Sequence, residues 1–136
     1  MEHSRMNDSS WRKLLLAARR VLGHGDSVAW ASDSWCAWTT FSSLENGVGY
    51  WASGLPEEAE LLEAWVADGG TWGQPFRYAD LAHLVIPAKF YWEQYDEVKG
   101  FQCGHKRQGI ARLSKTLEGL GISHRLTDLI LEVKLY

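Results

Sequence analysis

Apolar residues first recur at helical spacing over residues 10–22, where Trp11, Leu14, Leu15, Ala18 and Leu22 line one face and Arg12, Lys13, Arg19 and Arg20 the other. Ser10 stands at the N-cap position and Gly23 supplies a left-handed C-cap, so a helix is predicted here, preceded by a polar, frayed segment 1–9. From Ser27 the chain turns aromatic and β-branched. A strand is predicted over 28–31, then a hairpin of 38–45 and 48–52 around Asn46-Gly47, with Ser43 opposite Tyr50 and Phe41 opposite Ala52. A second helix is predicted over 56–68, opened by Pro56, favoured by Glu57 and Glu58 at its positive end and stopped by Gly69-Gly70. Ala59, Leu62, Trp65 and Val66 would form its buried stripe, with Glu57, Glu60 and Glu63 facing outward.

Residues 71–77 read as a loop, and 81–86 as an apolar run too short for its period to separate strand from helix. Residues 89–95 alternate as a strand, with Phe90, Trp92 and Gln94 on one side and Tyr91, Glu93 and Tyr95 on the other; 96–106 reads as a turn or long loop. Ile110, Leu113, Leu117 and Leu120 set a third helix over 108–120, stopped by Gly121. A short strand over 122–126 precedes a final one in which Leu129, Leu131, Val133 and Leu135 alternate with Ile130, Glu132, Lys134 and Tyr136. Helices interleaved with hairpins predict an α+β fold, an antiparallel or mixed sheet with about three helices packed on one face.

At 136 residues and 46% hydrophobic content, the chain fills one core without staples, so residues 1–136 are expected to form a single domain. Two cysteines, Cys36 and Cys103, allow at most one bridge and suit a reducing compartment. The early apolar stretch 14–18 is closed off by Arg19 and Arg20 without a cleavage pattern, and no run approaches the roughly 18 residues of a membrane helix. A cytoplasmic protein without membrane contact is expected. Net charge is -3, unevenly spread: residues 1–54 balance, 55–97 carry -7 and 98–136 carry +4. The acidic middle suits a basic partner and repels nucleic acid, whereas the C-terminal third could meet phosphate.

Eight tryptophans exceed what a core of this size easily buries, which points to interface anchors. Chemistry is sparsely marked. Cys103-Gly104-His105 offers two soft ligands where zinc needs three or four, with Cys36, His83 and His124 far off in sequence, so no metal and no cofactor are expected. Cys103 with His105 or His124 as a thiol nucleophile and base lacks a marked orienting group or oxyanion hole. Glu57-Glu58 and Asp96-Glu97 are adjacent rather than facing, unlike paired catalytic carboxylates. Gly47-Val48-Gly49 and Gly69-Gly70 lack the setting of a phosphate loop. Trp35, Trp38, Trp51 and Tyr50 could form a stacking platform, but without basic neighbours.

From Tyr78 onward, the runs Asp80-Leu81-Ala82-His83-Leu84-Val85-Ile86-Pro87 and Phe90-Tyr91-Trp92-Glu93, with the ending His124-Arg125-Leu126-Thr127-Asp128-Leu129 through Glu132-Val133-Lys134-Leu135-Tyr136, resemble small uncharacterised bacterial domains that accompany polymorphic toxins as immunity proteins. The resemblance implies no catalytic residues. It implies a non-catalytic module that blocks a cognate toxin; on that reading the -7 segment and spare aromatics are expected to plug a basic toxin cleft through Glu57, Glu60, Glu63, Trp72, Tyr95, Asp96 and Glu97. A small cysteine-dependent enzyme and a Trp-rich ligand-binding domain are the competing readings. A homodimer is a further partner state, invited by exposed edge strands and surplus aromatics.

Overall fold

The computed structural model describes residues 6–67 and 70–136. Helix α1 (Asp8–Leu22) forms where its stripe predicts it, but its cap is Asn7 rather than Ser10, the Asn7 side chain accepting from the Ser10 amide at 2.8 Å. Gly23, at φ 103°, closes the helix with its amide on the Arg19 carbonyl. There follow β1 (Cys36–Thr40), α2 (Phe41–Glu45), β2 (Trp51–Ser53), β3 (Trp65–Val66), β4 (Phe76–Arg77), β5 (Leu81–Pro87), β6 (Lys89–Asp96), β7 (Gly100–Arg107), α3 (Ile110–Gly119), β8 (Arg125–Leu126) and β9 (Ile130–Lys134). Strands β2-β1-β5-β9-β8 form one antiparallel sheet; β3–β4 and β6–β7 are separate two-stranded ribbons. The fold is α+β with antiparallel sheets.

Register decides which face of the five-stranded sheet is core. Trp38 lies opposite Leu84, Leu84 opposite Val133, and Ile86 opposite Leu131, and all five are buried. Against them pack Trp11, Leu14 and Leu15 of α1 and Ile110, Leu113 and Leu117 of α3. Helix α2 buries no residue, so two of the three α-helices among the described residues cover the core face. Trp38 stacks on Trp72 at 3.8 Å, with Phe76 edge-on to both. Gly25 and Gly54 let two loops cross beneath this cluster, since a Cβ on Gly25 would sit 2.2 Å from the Leu55 carbonyl oxygen.

Four local expectations are corrected. Residues 29–31 form a 3-10 turn, not a strand, because the Ser32 hydroxyl meets the Asp26 amide and the Val28 carbonyl and closes the loop. Asn46-Gly47 ends α2 rather than turning a hairpin: Thr40 caps that helix through the Ser43 amide, and β1–β2 pairing runs Ala37 to Ala52 and Trp38 to Trp51. The predicted helix over 56–68 is one 3-10 turn, Glu58–Glu60, after which Leu61 leaves helical geometry and Trp65–Val66 pairs with Phe76–Arg77; its predicted end, at Asp68 and Gly69, lies outside the described residues. Glu60 arrests the helix, its carboxylate accepting from the amides of Glu57 and Thr71. Finally, residues 100–107 are strand β7, not loop, paired along its whole length with β6.

Candidate functional site

The β6–β7 ribbon is an arm. Chain leaves the main sheet at Ala88, runs out along β6, turns at 97–99 and returns along β7; eight paired residues give a reach of about 26 Å. Its root is clamped. Phe90 is buried and stacks on Trp35, while the Gln108 side chain bonds both backbone groups of Trp35 and the carbonyl of Pro87. Lys106 Nζ lies 2.7 Å from the Ser32 carbonyl oxygen and 3.0 Å from that of Trp30, and over the Trp92 ring. At the tip, the Asp96 carboxylate accepts from the amides of Lys99 and Val98, which hold its pKa below the ordinary carboxylate value, and Gly100 at φ 77° completes the turn. Along the outer face Tyr91 pairs with His105, Glu93 with Cys103 and Tyr95 with Phe101, all exposed, and tip residue Val98 is 93% exposed.

A second constellation occupies the sheet face opposite the core. Ala37, Val85 and Glu132 lie in one cross-strand row ending in Arg125, and Thr39, His83 and Lys134 in the next. His83 Nε2 is 2.6 Å from Glu132 Oε1, and Arg125 Nη1 donates to Glu132 Oε2 at 2.8 Å. Burial pushes the Glu132 carboxyl up, but the hydrogen bonds from His83 and Arg125 outweigh it and bring the pKa below its usual value. An ionised carboxylate only accepts, so Nε2 carries the proton, and in the neutral ring Nδ1 accepts from the Tyr50 hydroxyl at 2.7 Å. Tyr50 Oη in turn accepts from Tyr136 at 2.8 Å, and Lys134 Nζ sits 4.7 Å from the Tyr136 ring. The result is a polarised chain, Tyr136 to Tyr50 to His83 to Glu132. Burial and the neighbouring Tyr136 hydroxyl push the Tyr50 phenol up to about 12. Beside His83, the fully buried Thr39 hydroxyl has no hydrogen-bond partner among the described residues.

The residues predicted as contacts fall in different places. Glu57 caps the 3-10 turn and lies 3.9 Å from Arg19; Glu60 is spent on two amides; Glu63 is exposed. Trp72 is corrected to a core residue, 5% exposed, its indole N–H donating to the Gly54 carbonyl. Tyr95, Asp96 and Glu97 come together at the arm tip. The acidic middle third is likewise dispersed: Glu58 pairs with Arg20, Asp80 accepts from Ser42, and Glu93 accepts from Tyr91. Trp38 is buried in the core, so Trp35, Trp38 and Trp51 form no exposed platform. His124 is a structural clamp between the Ile122 carbonyl and the Ser114 hydroxyl. Cys36 is buried and its thiol pushed up by desolvation, and among the described residues no group of three or more His, Cys, Asp or Glu converges on a metal position.

Both sites were only half visible in the sequence. The alternation of β9 put Glu132, Lys134 and Tyr136 on one side, but their meeting with His83 and Tyr50 required the strand order. Comparison of the chain with family models, curated proteins and solved structures returned no match. No described helix is long and apolar enough to cross a membrane.

Proposed function

We propose that the protein is a protein-binding module of the immunity type, which blocks a cognate bacterial toxin in the cytoplasm without chemistry of its own at the contact. The observation that carries this reading is the arm: Tyr91, Tyr95, Val98 and Phe101 face solvent on a ribbon whose root is fixed to the body by Phe90, Lys106 and Gln108. Fixing the root lowers the entropy lost on association, and exposed aromatics at a rigid tip are the residue type that anchors interfaces. Asp96 and Glu97 at the tip give it an acidic end suited to a basic toxin cleft. The contact set therefore narrows to Tyr95 and Glu97, with Tyr91, Val98 and Phe101 added; Asp96 contributes charge while its carboxylate holds the turn, Glu57, Glu60 and Trp72 leave the set because they are engaged within the fold, and Glu63, though exposed, is not on the arm.

The test is titration of the chain with a toxin domain encoded beside it, for the wild type and for the Tyr95→Ser/Phe101→Ser double variant. Wild type should bind at one to one and the variant at least about a hundredfold more weakly, the loss of two anchors at hot-spot scale. Equal affinities would remove the arm from the interface, and absence of any binding by the wild type would overturn the immunity reading itself.

A further inference from the structure

The open sheet face carries an arrangement that protein binding does not use. Tyr50, His83 and Glu132 are spaced as a nucleophile, its base and the group that orients the base: 2.7 Å from Tyr50 Oη to His83 Nδ1 and 2.6 Å from His83 Nε2 to Glu132 Oε1. His83 and Glu132 are largely buried, with side-chain exposures of 11% and 9%, whereas Tyr50 is reachable from solvent. Arg125 uses one terminal nitrogen on Glu132 and is otherwise exposed, leaving further guanidinium donors at the rim; Lys134, beside His83 in register, presents a second cation. Lys134 is the cation on the Tyr50 side, its Nζ 4.7 Å from the ring of Tyr136, whose hydroxyl meets Tyr50 Oη at 2.8 Å, and a cation beside a hydroxyl that has its own base selects a substrate with anionic oxygens at the reacting centre.

We propose that Tyr50 is a covalent nucleophile toward a phosphate ester, with His83 as general base, Glu132, itself held by Arg125, as the positioning residue for His83, and Lys134 as the cation that meets the phosphoryl oxygens. Tyr50 Oη attacks phosphorus as its proton passes to His83 Nδ1. The imidazolium is stabilised by ionised Glu132. The P–O bond on the side opposite Tyr50 breaks, the leaving oxygen takes a proton from solvent water, and a phosphotyrosine remains with His83 still protonated. Water then attacks phosphorus from the side opposite Tyr50 and gives its proton to solvent, while Tyr50 Oη departs and takes back the proton held on His83 Nδ1. A phenol that stays protonated at neutral pH needs such a base at the moment of attack, which accords with the raised Tyr50 value. The incoming ester takes the place of the Tyr136 hydroxyl at Tyr50 Oη.

The experiment is rapid mixing with bis(4-nitrophenyl) phosphate and, separately, 4-nitrophenyl phosphate, followed by intact-mass analysis and peptide mapping. The expected result is a burst approaching one equivalent of nitrophenol and a phosphoryl adduct on Tyr50, with one of the two esters preferred and so distinguishing a diester from a monoester substrate. Tyr50→Phe should abolish the adduct and His83→Gln should slow the burst by about a hundredfold or more, each variant first checked for an unchanged circular dichroism spectrum. Tyr95→Ser/Phe101→Ser should keep the full burst, so failure of the arm reading and failure of this one are separable. No Tyr50 adduct from either ester on the folded wild type overturns the proposal, as does an adduct that forms at the same rate in His83→Gln.

Discussion

The arm and the open sheet face both display tyrosines, but they hold them in opposite ways. On the sheet face, Tyr50 and Tyr136 are tied by their hydroxyls into a chain that ends on Glu132, itself fixed by Arg125. On the arm only Tyr91 has a hydroxyl partner, Glu93, while Tyr95, Val98 and Phe101 stand free. Satisfied polar groups on a rigid sheet specify a geometry, which is what proton transfer requires. Unpartnered rings on a clamped ribbon leave apolar surface still to be buried, which is what association requires. Aromatic count alone therefore says little about function; the partners of each ring say more.

The largest difference between the rings should appear when they are removed. Trp72→Ala, which empties the stack on Trp38, should cost about 3–5 kcal/mol in urea unfolding. Glu132→Gln, which weakens hydrogen bonds from His83 and Arg125, should cost about 1–3 kcal/mol near neutral pH. Because the Glu132 pKa is lowered on folding, that contribution is fully present above the unfolded carboxyl value of about 4.3 and is lost as pH falls through the lower folded value. Acid titration of stability should thus be steeper in the wild type than in Glu132→Gln, and parallel curves would mean that the sheet-face chain does not stabilise the ionised form. Smallest of all, Tyr95→Ser and Phe101→Ser should each change stability by no more than about 0.5 kcal/mol, since neither ring packs on the body.

How much of this was legible depended on whether a segment's pattern met a core. Helices α1 and α3 carry their stripes into one cluster with Trp38, Leu84 and Leu131, and the sequence located both within two residues at their starts; β6 and β9 alternate against the same body and were equally readable. Strand β7 was missed because, apart from Lys106 at the root, it borders only β6 and solvent, so residues 100–107 carry no apolar period. Segment 56–67 was misread because Glu57 and Glu60 cap a helix of a single turn, and a cap does not report how long its helix will be. Asn46-Gly47 misled in the same way, since a pair that tolerates positive φ serves a helix end as well as a hairpin turn. At the sites, Tyr95, Asp96 and Glu97 were anticipated as neighbours because they are neighbours in sequence. Tyr50, His83 and Glu132 come from three separate stretches, and only the β2-β1-β5-β9 order joins them.

The division of labour between the two regions is tested most directly by amide hydrogen exchange on the protein alone and bound to the adjacent toxin domain. Slow exchange is expected in β5 and β9 in both states, with new protection on binding confined to residues 93–104 of the arm. Protection that instead appears around residues 50–52, 83–85 and 132–136, with the arm unchanged, would contradict that division, because the open sheet face would then be the surface that the partner covers.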